Sequence, residues 1–89
     1  MTMQHDQRPR SIDIRLDALS DTEWRVCDNR LDESDHLSIL GFIELRNGQF
    51  EVTTMSAPGE RTVVESLANA RAAFTPFGRE LVHTRKFVV

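Results

Sequence analysis

Cysteine and lysine are almost missing from this chain of 89 residues, each occurring once, as Cys27 and Lys86. A single thiol cannot pair within the chain, so an internal disulfide framework is excluded. Long apolar runs are missing as well; none approaches the roughly 20 residues that a membrane-spanning helix requires. The opening MTMQHDQRPR is polar and lacks the apolar run of a signal peptide. The expectation is therefore a soluble, cytoplasmic protein. The length allows one small domain, since typical domains run to about 100–150 residues. Chains of about 55–65 residues often fold without staples.

What is present is charge, unevenly spread. Fourteen acidic residues face eleven basic ones, and all the basic residues but Lys86 are arginine. Residues 1–60 carry a net charge of −6 and residues 61–89 a net charge of +3. Such a chain brings a basic end to an acidic partner or is complementary to itself. The preference for arginine over lysine reads first as a bias of genome composition.

Residues 1–10 show no apolar periodicity and read as a mobile tail. Ile12, Ile14 and Leu16 then alternate with charged residues, as in a strand with one buried face. Trp24 to Asp28 reads as a second strand, and Asn29 to His36 as an acidic loop. Ile39–Leu45 and Phe50–Met55 flank Arg46-Asn47-Gly48-Gln49, and Asn-Gly between two such runs predicts a type I′ hairpin. That turn sets Leu45 opposite Phe50, Glu44 opposite Glu51, Ile43 opposite Val52 and Phe42 opposite Thr53. The like-charge pair Glu44/Glu51 calls for a nearby cation, and Arg25 on the preceding strand is the candidate.

Ala57-Pro58-Gly59 reads as the end of the sheet. A helix follows in one of two registers. It starts near residue 63 behind a Thr62/Glu65 capping box, or near residue 67 behind Ser66, after an extended segment ending at Val64. Leu67 to Phe74 is helical in both, and Pro76 ends it. Residues 79–89 read as a fifth strand, a docking segment or a tail. The predicted fold class is α+β: an antiparallel four-stranded meander with one C-terminal helix packed on one face, a ββββα domain over residues 11–78. Its expected core is Ile12, Ile14, Leu16, Trp24, Val26, Ile43, Leu45, Phe50, Val52, Leu67, Ala70 and Phe74.

No pattern in the chain carries recognisable chemistry. His5, His36 and His83 are scattered. The acidic run Asp28, Asp32, Glu33, Asp35 fails as a calcium loop because Arg30 sits at its third position and no glycine stands at its sixth. There is no GxSxG, P-loop or GxGxxG pattern. Cys27 reads as a small buried hydrophobe. The expectation is a non-catalytic protein with no cofactor, no metal and no small-molecule substrate.

Two surfaces remain as candidates. Leu40, Phe42, Met55 and Cys27 would form an apolar patch on the sheet face away from the helix, suited to a protein partner or a second copy of the chain. Alternatively, Arg71, Arg79, Arg85 and Lys86, on and after the helix, would bind nucleic acid, though Glu44 and Glu51 at the centre of the sheet oppose phosphate.

Some stretches resemble known families. WRVCD at 24–28, LGFIE at 40–44, GQFEV at 48–52 and SLANARAAF at 66–74 are similar to those of a family of small uncharacterised proteins common in actinobacteria. The resemblance implies a shared fold and no activity. The order Trp24-x-Val26, Leu40-Gly41-x-Ile43 and the alanine-rich helix also resembles AP2-like and integrase arm-type domains. In those, a three-stranded sheet reads DNA with its exposed face.

Overall fold

The computed structural model describes residues 9–76. Its elements are five strands, β1 (Ile14–Ala18), β2 (Glu23–Asp28), β3 (Ile39–Arg46), β4 (Gln49–Thr54) and β5 (Ala57–Val64), followed by one helix, α1 (Leu67–Ala72). The strands form one antiparallel meander in chain order. The class is thus α+β with five strands where four were expected. Of the segments marked out at the ends, residues 1–8 and 77–89 lie outside the described residues.

The β3–β4 hairpin has the register the Asn-Gly turn predicts, from Arg46 opposite Gln49 to Phe42 opposite Thr53. Asn47 (φ 54°) and Gly48 (φ 78°) both occupy the left-handed region that a type I′ turn demands. Pairing of β2 with β3 also follows the expected order.

The fifth strand corrects the reading of Ala57-Pro58-Gly59 as the end of the sheet. Those residues open β5, which pairs with β4 from Phe50–Val64 to Thr54–Ala57. Proline is tolerated there because an edge strand has one open side, so a missing N–H breaks no ladder. The register jumps between Val52 and Thr54, and Pro58 to Arg61 stand exposed where the pairing is interrupted.

At the start of β1 a second correction is needed. Ser11–Asp13 form a 3-10 turn rather than strand. The Asp13 carboxylate accepts the Arg10 backbone N–H at 3.1 Å, which favours the turn over extension. Ile12, expected in the core, is consequently 79% exposed.

Helix α1 starts in the later of the two registers. The Ser66 hydroxyl accepts the Asn69 N–H at 3.0 Å, satisfying one of the orphan donors of the first turn. Beyond Ala72 the chain continues as a turn to Thr75.

The core lies between the helix and one sheet face: Ile14, Val26, Ile43, Val52, Val64, Ala70 and Phe74 are buried, with Leu16, Trp24, Leu40, Phe50, Leu67 and Ala73 packed against them. The Trp24 and Phe50 rings stand 5.9 Å apart. Leu45, also expected in the core, is only half-buried and lies outside this cluster, at the hairpin end of the sheet.

Candidate functional site

Because side chains alternate along a strand, the face away from the helix carries Arg15 and Asp17 from β1, Glu23, Arg25 and Cys27 from β2, Phe42, Glu44 and Arg46 from β3, and Glu51 and Thr53 from β4. This outer face is a lattice of ion pairs. Arg15 Nε lies 3.0 Å from Asp17 Oδ1, and Arg25 Nη2 lies 3.3 Å from Asp17 Oδ2. The hydrogen bonds from Arg15, helped by those from Arg25, hold the Asp17 carboxyl below its ordinary range.

Across β3, Arg46 Nη2 lies 2.8 Å from Glu44 Oε1 while its Nε lies 3.7 Å from Glu51 Oε2. Arg61 Nη1 completes the group, 3.3 Å from Glu51 Oε1. The cations that relieve the Glu44/Glu51 pair are therefore Arg46 and Arg61, and Arg25 serves Asp17 instead. Arg46 was legible as a same-face neighbour of Glu44 two residues along. Arg61 was not, because it reaches the face only through β5, whose opening Ala57-Pro58-Gly59 carries the residues of a strand break.

Phe42 sits in the middle of this lattice, directly between Arg25 on β2 and Thr53 on β4, and 38% of it is exposed. Beside it, Glu23, Glu44 and Glu51 form one carboxylate row across three adjacent strands. A shallow depression of about 160 Å³ runs over this row, walled by Phe42, Thr53 and Arg61.

The four residues expected to form one apolar patch are divided. Val26 pairs with Gly41 but Cys27 with Ile39, so Leu40 is the extra residue of a β-bulge. The bulge turns Leu40 to the helix side, where it packs against the core. There it lines a groove of about 440 Å³ with Met55, Pro9, Ala73 and Phe74. Met55 is 53% exposed.

Cys27 remains on the outer face but is only 2% exposed, so it adds no apolar surface. Its thiol lies 3.7 Å from Asp17 Oδ2. An open cavity of about 620 Å³ over it is lined by Arg15, Asp17, Arg25, Ser34 and Ser38 among others. No histidine is among those residues. The Asp17 carboxylate accepts the hydrogen bond of the thiol.

The acidic loop spends its side chains on its own backbone. Asp28 accepts from the Arg30 N–H at 3.0 Å and from Arg30 Nε at 2.9 Å, Asp32 from the Ser34 N–H at 2.9 Å, and Asp35 from the Leu37 N–H at 2.9 Å. Among the described residues no group of three His, Cys, Asp or Glu is placed to hold a metal ion. Nor is any described helix long and apolar enough to cross a membrane.

Of the residues considered for nucleic acid, Arg71 is turned inward, its Nη2 donating to Ile14 O at 2.6 Å and Ser11 O at 3.0 Å. Arg79, Arg85 and Lys86 lie outside the described residues. Comparison of the chain with family models, with curated proteins and with solved structures finds no match in any of the three.

Proposed function

We propose that this chain is a small non-catalytic interaction domain of the cytoplasm, associating through the outer sheet face around Phe42. The observation that supports this reading is Phe42, 38% exposed between Arg25 and Thr53 on a face otherwise made largely of ion pairs. Association surfaces have this anatomy, with aromatic anchors at the centre and a polar rim that screens them from water. The part of Phe42 left in water gains nothing from folding, whereas burial in a complex removes that area from solvent. Phe42→Asp places a charge there while leaving the buried face untouched.

The test compares the full chain with Phe42→Asp by light scattering across the micromolar range and by affinity capture. A change in self-association or in captured protein supports the reading. If the wild-type chain is monomeric throughout and the substitution alters neither solubility nor any capture, the reading fails.

A further inference from the structure

We infer that the partner of this face is a second copy of the same chain, docked face to face about a two-fold axis with the strands of the two sheets crossing near a right angle. The inference rests on the reading of the Phe42 face as the association surface, and names its occupant.

The charges on the face are ordered along two arms that meet at Phe42. Starting at Phe42 and crossing the strands toward β1, the paired residues are Phe42, Arg25 and Asp17: apolar, positive, negative. Starting again at Phe42 and following β3 toward the hairpin, the residues on the same face are Phe42, Glu44 and Arg46: apolar, negative, positive. The two arms carry opposite charges at each step. A two-fold axis that lies in the face, passes through Phe42 and bisects the arms exchanges one for the other. It sets ring against ring, Arg25 against the partner's Glu44, and Asp17 against the partner's Arg46.

The dimensions permit it. Neighbouring strands lie about 4.8 Å apart, and alternate residues along a strand about 6.7 Å. The mismatch between arms is then about 2 Å at the first step and about 4 Å at the second, within the reach of an arginine side chain. Exchanging a cross-strand arm for an along-strand arm turns one sheet by a right angle, which is one of the two recognised modes of sheet-on-sheet packing.

The same axis makes an unfavourable contact, which sharpens the inference. Glu23 stands opposite Glu44 on β2, one step along from Arg25, and so falls on the bisecting line. The two copies of Glu23 meet there, each flanked by the partner's Arg25. The face spans about 19 Å by about 20 Å, from five strands and some six residues of length. That is a planar area of about 400 Å², small beside the roughly 800 Å² per partner of a stable complex. The dimer is accordingly a weak one, with a dissociation constant in the micromolar range or above.

Sedimentation equilibrium of the full chain at low and moderate salt tests this, with circular dichroism melts confirming that each variant folds. Arg25→Glu and Glu44→Arg should each weaken the dimer more than tenfold. The double variant should restore it, because the exchanged charges meet again across the axis. Glu23→Gln should tighten it several-fold. Arg25→Gln serves where Arg25→Glu fails to fold, since Arg15 still holds Asp17, and it too should weaken the dimer.

A wild-type chain that stays monomeric to millimolar concentration overturns the inference, as does a double variant no tighter than the single ones. A monomeric chain that captures a different protein through Phe42 leaves the proposed function standing and removes only the second copy. Loss of neither association nor capture on Phe42→Asp removes both.

Discussion

Gly41 lies against the ring of Phe74. A Cβ at Gly41 would fall 2.8 Å from Phe74 Cε1 and would also meet the carbonyl oxygen of Thr53. The ring can yield a little; the backbone of the paired strand cannot. This close approach lets the turn after α1 settle on the middle of the sheet, and only glycine permits it.

Gly41→Ala is therefore expected to destabilise the domain by about 1–3 kcal/mol through overpacking. Gly59→Ala is the control, because nothing lies within 4 Å of its added methyl. Urea unfolding of the two variants against wild type gives the comparison. Equal midpoints would show that the sheet and Phe74 part without cost.

Arg71 joins the helix to the far edge of the sheet, since its guanidinium caps the Ile14 carbonyl at the open side of β1. Bonds from a charged donor contribute about 1.5–3 kcal/mol. Arg71→Ala is expected to lose about that much and to raise amide exchange selectively in residues 11–18. Uniform exchange across all strands would show that the clamp has no local role.

Asp28 sets a pH dependence. Its carboxylate is 6% exposed beside Arg30, 2.8 Å from Nη2. The Arg30 side-chain hydrogen bonds hold its pKa below the ordinary 3.8, against the opposing effect of burial. A carboxyl whose pKa is depressed by folding adds stability that is complete above its unfolded pKa. That stability is lost as pH falls through the lower folded value. Asp28→Asn should thus cost about 1–3 kcal/mol at neutral pH, with the difference from wild type narrowing below about pH 4. Chemical unfolding across that range measures it. A difference that is constant with pH would mean the pair contributes only its neutral hydrogen bonds.

The outer face shows how far alternation alone carries. From Phe42 to the hairpin, period two assigned every side chain to its correct face, because Asn47-Gly48 pins the register and nothing interrupts it. Past Gly41 the same rule misplaced Leu40. One bulged residue shifts the alternation by one, and a bulge depends on how β2 and β3 fit over the core rather than on either strand's composition. The expected apolar patch was therefore split, with Phe42 on one side of the sheet and Leu40 and Met55 at a groove on the other.

By itself the sequence determined the class, the order of the first four strands, the hairpin register and the two possible helix starts. These rest on local chemistry: turn residues with positive φ, caps, and alternation within a strand. Only the tertiary structure decided that Ala57–Val64 is an edge strand, that Ser66 and not Thr62 caps the helix, and that Ile12 lies outside the core. Each of these turns on a partner distant in the chain or on competition between two local conformations of similar energy. The near-absence of cysteine excluded a disulfide framework from the start. Where the lone thiol sits, buried at 2% exposure beside Asp17 on the face opposite the helix, was decided by the pairing of β1 with β2.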